Sequence, residues 1–219
     1  MKKVLLLCAV LALALPATAG ITDPMPAGTI TDLTGSRATP IYADLTQSGY
    51  FLDNGSASTY PLPVADDIHA ISGGTITSFT IGYTCAGTGT FALPVAFYTN
   101  NAADTVVPGA GAALITSFTI PGLPVGGYIV GITGVSIPVG ADFWFEQSYN
   151  GVATGGPLIT GNPGGTVGYS HDIFAQTGAT WYFTSGTWAD FVLGFNIVPE
   201  PASISLLALA GLGLLLRRR

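Results

Sequence analysis

Ala141-Asp142-Phe143-Trp144-Phe145-Glu146-Gln147-Ser148-Tyr149 is the stretch that decides the fold. Phe143 and Phe145 alternate with Trp144, a period of two, so a strand here buries the phenylalanines on one face and carries the tryptophan on the other. Pro138-Val139-Gly140 sets a turn just before it. Working outward, strands are expected at Thr75–Cys85, Phe91–Tyr98, Ala113–Ile120, Tyr128–Thr133, Thr180–Phe183 and Phe191–Val198. Turns are expected between them at Ala86-Gly87-Thr88-Gly89, Asn100-Asn101 and Pro121-Gly122. Sustained helical periodicity is absent from the body, and Lys, Glu and Arg, the usual helix-surface residues, are nearly missing. Short strands at this spacing predict an all-β fold, a two-sheet antiparallel sandwich of jelly-roll type. A β-helix is disfavoured by the lack of a fixed repeat.

The two ends read differently from the body. Lys2-Lys3, an apolar run from Val4 to Leu15 and the small residues Ala17-x-Ala19 before Gly20 have the form of a signal peptide over residues 1–19, cut by signal peptidase. Residues 20–198 are then one exported domain, long enough to enclose a sizeable core. At the other end, Pro199-Glu200-Pro201 precedes an uncharged apolar run, Ala202 to Leu216, closed by Arg217-Arg218-Arg219. As a helix this run spans roughly 22 Å, short of the ~30 Å hydrocarbon core, a deficit that snorkelling arginine stems partly recover. The terminal arginines act as a membrane stop on the cytoplasmic side, leaving the body across the membrane.

This ending resembles the PEP-CTERM sorting signal of Gram-negative bacteria: a Pro-Glu-Pro motif, a short apolar helix and an arginine-rich end, in that order. The resemblance implies a membrane transpeptidase, exosortase, as partner, reading Pro199, Glu200 and Pro201 and leaving the protein at the cell surface or outside the cell. More loosely, Val64-Ala65-Asp66-Asp67-Ile68, Ile137-Pro138-Val139-Gly140 and Phe143-Trp144-Phe145 resemble parts of the β-sandwich ectodomains carried by PEP-CTERM proteins. That likeness supports the sandwich and implies no activity.

Charge separates the ends from the body. The chain has 6 basic and 12 acidic residues, but Arg37 is the sole Lys or Arg between the signal and the tail. One base against eleven acids leaves that body near −10, a charge that phosphate backbones repel, so nucleic acid is not expected as a partner. Cys85 is the sole cysteine after residue 19 and reads as a small buried hydrophobe.

Candidate chemistry is sparse. Asp66-Asp67 is the one adjacent carboxylate pair; neighbours on a strand point to opposite faces, so turn or capping bonds are the expected role. With Asp53 or Asp172 the pair could contribute oxygens to Ca²⁺; no other cofactor is expected. His69 and His171 do not by themselves make a zinc site, because H-E-x-x-H and cysteine pairs are absent, and no metal ligand is assigned. No Gly-x-Ser-x-Gly elbow occurs, and Glu146 is the one Glu of the body, so no catalytic residue is assigned and an enzyme is not expected. Trp144, Trp181 and Trp188 could stack on sugar rings if exposed together; core filling is the favoured role. Three functions follow in decreasing order of support: a structural or adhesive protein of the cell surface or extracellular matrix, a carbohydrate-binding module for exopolysaccharide, and a small secreted hydrolase.

Overall fold

The computed structural model describes residues 20–21, 25–26, 39–53, 55, 63–160, 167–171, 173–176, 178–182 and 190–197. The signal-peptide residues Ala17 and Ala19, the motif Pro199-Glu200-Pro201, the arginines Arg217–Arg219, and Trp188 and Asp172 lie outside them. Twelve strands follow one another: β1 (Gly20–Ile21), β2 (Met25–Pro26), β3 (Thr39–Asp44), β4 (Gln47–Phe51), β5 (Val64–His69), β6 (Gly74–Thr99), β7 (Leu114–Val139), β8 (Asp142–Gln147), β9 (Gly155–Thr160), β10 (Ile173–Gln176), β11 (Ala179–Tyr182) and β12 (Leu193–Ile197). Every pairing between these strands is antiparallel.

The frame is a hairpin of two 26-residue strands, β6 and β7. Each covers two strands expected separately, because the Gly-rich and Pro-Gly segments between them bulge without reversing the chain. Ala86 to Gly89 lie opposite Val125 alone, between the pairs Cys85↔Gly126 and Thr90↔Pro124. Pro121-Gly122 lies opposite Ala92, with Gly122 at φ 69° as a bulge requires. Asn100-Asn101 does open the turn of the hairpin, and Val139 ends β7 as Pro138-Val139-Gly140 foretold.

The bulges let the hairpin fold on itself. Eighteen residues of straight strand would separate Phe79 from Phe97 by about 60 Å. Their rings lie 5.8 Å apart. The first half of β6 pairs with β12 at Ile76–Ile81, and β12 pairs on with β3. The second half pairs with β8 at Val95–Thr99, followed by β5, β10 and β11. Phe79 comes from the first half and Phe195 from its partner β12. Phe97 comes from the second half, Phe143 and Phe145 from its partner β8, and the five rings meet with centroids 4.9–6.1 Å apart in contacts such as Phe97–Phe145 and Phe97–Phe143. Cys85 is buried as expected.

Within β8 the alternation holds. Phe143 and Phe145 enter the main core, and Trp144 points to the opposite face. That face is covered too. Trp144 is fully buried among Ala65, Val107, Ile173 and Ala175, and its indole N–H donates to the Val106 carbonyl at 2.7 Å. The loop between β6 and β7 therefore lies over the outside of β8 and β5.

Candidate functional site

Strand β5 reads Val-Ala-Asp-Asp-Ile-His, and all six residues are buried. The strand alternation sends Val64 and Ile68 into the main core, and Ala65, Asp67 and His69 to the outer face beneath the β6–β7 loop. Asp142, opposite His69 in the β5–β8 register, shares that face.

Two other segments complete the cluster. The β6–β7 loop delivers Asp104, whose φ of 50° places it in the left-handed region that Asp tolerates better than most residues. Its amide donates to the Asn101 carbonyl at 3.0 Å, and the Asn100 side-chain amide donates to Asp104 Oδ1 at 2.5 Å. The segment 167–171 runs along the free edge at the end of β5, exchanging two backbone hydrogen bonds between His69 and Tyr169 at 2.9 and 3.0 Å. Gly168 permits this approach: at φ +72° an added Cβ would lie 2.6 Å from the His69 carbonyl oxygen. The segment places Ser170 and His171 over the aspartates.

The polar contacts converge on His69, which is 2 % exposed. Its Nδ1 lies 2.8 Å from Asp142 Oδ1 in a hydrogen bond. Its Nε2 lies 3.0 Å from Asp67 Oδ2 and 3.3 Å from Asp104 Oδ1. Both are ion-pair contacts, and among the described residues the buried Nε2 has no partner in hydrogen-bond geometry. His171 Nδ1 lies 2.7 Å from Asp104 Oδ2 and 3.5 Å from Asp67 Oδ2, and the His171 amide donates to Asp67 Oδ2 at 2.8 Å. Tyr169 stacks on the His69 ring with centroids 4.5 Å apart.

Burial pushes the carboxyls of Asp66 and Asp67 above the usual range, Asp66 further because Asp190 and Asp67 are its neighbours. Burial pulls the His69 imidazolium down, but the carboxylates of Asp104, Asp67 and Asp142 prevail and push it up to about 11. Burial alone would raise Asp104 as well; contacts with His69, His171 and Asn100 lower it instead. The cluster thus concentrates negative charge around one imidazole in a body almost without cations.

The structure rearranges several sequence expectations. Asp66 and Asp67 do accept backbone amides, from Phe191 and His171, both at 2.8 Å. They also share a partner, the Ser170 hydroxyl, at 3.3 and 3.0 Å, which the opposite-face argument did not foresee. Asp53 lies apart from them, where its Oδ1 accepts the amides of Gly55 and Gly155. The two histidines, to which the sequence assigned no shared site, have ring centroids 4.6 Å apart. Glu146 accepts a 3.4 Å hydrogen bond from the Tyr98 hydroxyl. The sugar-stacking role is corrected for Trp144, whose buried ring offers no face to a ligand. Trp181 is placed in β11 by its backbone. Sequence reasoning missed Asp104 and His171 as partners of Asp67 and His69. The signal within reach was Asp67-x-His69, a spacing that puts both side chains on one face of a strand.

Residues 198–219 match the PEP-CTERM protein-sorting motif. The chain thus carries at its C-terminus a motif that implies an exported protein sorted by an exosortase. No curated protein and no solved structure matches the chain.

Proposed function

We propose that this chain is a structural or adhesive protein of the cell surface or extracellular matrix, delivered there by exosortase processing, and that it is not an enzyme. The observation that carries this reading is the sorting motif at residues 198–219, placed directly after the last described strand of an acidic all-β body. The body is a two-layer sandwich whose layers are the two halves of the folded β6–β7 hairpin with their attached strands. Its arrangement suits an outward role: one folded unit, nearly free of lysine and arginine, held away from the membrane by a short tail. Signal peptidase removes residues 1–19, and the tail is a temporary inner-membrane stop in which Arg217–Arg219 hold the chain until Pro199-Glu200-Pro201 is read.

Expression in a host with and without its exosortase tests the reading. With the enzyme, the protein is expected in the surface or matrix fraction. Without it, the protein is expected in the inner membrane with its arginines intact. Equal surface recovery in both hosts would overturn it.

A further inference from the structure

We propose that Asp67, His69, Asp104 and His171 form a binding site for one divalent transition-metal ion of the zinc class, with Asp142 orienting His69 from behind. The inference is independent of how the tail is processed.

Geometry comes first. One donor atom from each of the four side chains lies within 4.8 Å of all the others. A tetrahedral ion with bonds of about 2.0–2.1 Å needs donors about 3.3–3.4 Å apart. The separations from His69 Nε2 to Asp67 and Asp104 are 3.0 and 3.3 Å, and that from His171 Nδ1 to Asp67 is 3.5 Å. His69 Nε2 to Asp67, at 3.0 Å, must open slightly and His171 Nδ1 to Asp104 Oδ2, at 2.7 Å, by more.

The second observation is the His69 ring itself. Its Nδ1 is engaged by Asp142 at 2.8 Å, which leaves Nε2 to face the centre of the cluster. There it meets two carboxylate oxygens at close range with no hydrogen bond to either, although the residue is 98 % buried by its 2 % exposure. Two carboxylates facing one ring nitrogen favour positive charge between them, and a metal ion on the Nε2 axis, in place of the ring proton, turns all three contacts into bonds. A carboxylate behind the ligating histidine is the usual way proteins fix the tautomer and raise the ring's basicity.

Ligand chemistry selects the ion. Two imidazole nitrogens with two carboxylate oxygens suit zinc and its first-row neighbours. Ca²⁺ prefers six to eight oxygens at about 2.3–2.6 Å, which this set does not supply. Four protein donors close the coordination sphere, the mark of a structural rather than a catalytic zinc site. The ion would pin three pieces of chain separated in sequence: the end of β5, the β6–β7 loop through Asp104, and the segment 167–171 through His171. The His171 side chain is 43 % exposed, so an ion can enter from that side.

The test uses the full chain purified in detergent and stripped with EDTA. Calorimetric titration with ZnCl₂ is expected to show saturation at a single ion per chain, with metal analysis agreeing and excess Ca²⁺ failing to compete. Co²⁺ in place of Zn²⁺ should give the intense visible absorption of tetrahedral coordination. His171→Ala removes an exposed ligand and should leave the circular dichroism of the metal-free protein unchanged while abolishing the saturable uptake. Asp104→Asn, which retains the side chain's size and its tolerance of positive φ, should do the same. Asp142→Asn touches no metal and should weaken affinity by about 10–100-fold. Absence of saturable uptake of Zn²⁺ and Co²⁺ by the unaltered chain would overturn the proposal. So would uptake that is unchanged in both His171→Ala and Asp104→Asn.

Discussion

Asp44 shows what a single buried carboxyl does to this protein's stability. It lies at the end of β3, 1 % exposed, and burial pushes it from its ordinary 3.8 up to about 6, against the pull of the Thr46 amide and the Thr160 hydroxyl. A raised carboxyl means the folded state holds the proton more tightly than the unfolded one. The group therefore favours folding in acid, and that contribution is lost as pH rises from about 4 through about 6. The span is at most about 3 kcal/mol. Asp44→Asn keeps the shape without the ionisation. Its melting temperature is expected to exceed that of the unaltered protein at about pH 7, with the gap closing towards about pH 4. A gap independent of pH would show that the cost lies elsewhere. None of this was legible in the sequence, because Asp44 looks like any polar residue at a strand end until its neighbours are known. His69 is the same case. Its identity is plain in the chain, but its meaning depends on Asp104 and His171, which arrive from loops far along the sequence. Asp67-x-His69 was the one local clue, and the single spacing did not reveal the other two donors.

At the scale of elements, the loop between β6 and β7 connects the core to the polar cluster. Trp144 holds it down through the 2.7 Å bond to the Val106 carbonyl, two residues beyond Asp104. Trp144→Phe removes that donor, leaves the carbonyl unpaired and opens a small void. A loss of about 1–3 kcal/mol is expected in chemical denaturation. Amide exchange should quicken across residues 100–113 while β8 stays protected. Unchanged exchange in the loop would mean that Trp144 is only core filling. The strand carrying Trp144 was readable from its alternation alone, since period two is a property of the strand itself. The cover over its outer face was not, because a loop rich in Asn, Ala and Gly has no periodicity that announces what it lies on. The long strands were misjudged for a related reason. Gly87, Gly89 and Pro121-Gly122 have the chemistry of reverse turns, and only the pairing partner reveals that they bulge instead.

At the scale of the molecule, an acidic body folds by bending one long hairpin until its two halves share an aromatic core, and the sorting motif follows it at residues 198–219. The all-β antiparallel class was legible because it depends on composition and strand patterning summed over many residues. The tail was legible because its order of motif, apolar run and arginines is local and needs no partner in space. Five of the six basic residues belong to the two ends, so removing both would change the charge of the protein as well as its location. The most direct test of the sorting account is therefore the intact mass of the protein recovered from the surface fraction of an exosortase-containing host. The account predicts a chain that begins at Gly20 or beside it and lacks Arg217–Arg219. A mass that retains the three arginines would contradict it, and would make the tail a permanent anchor.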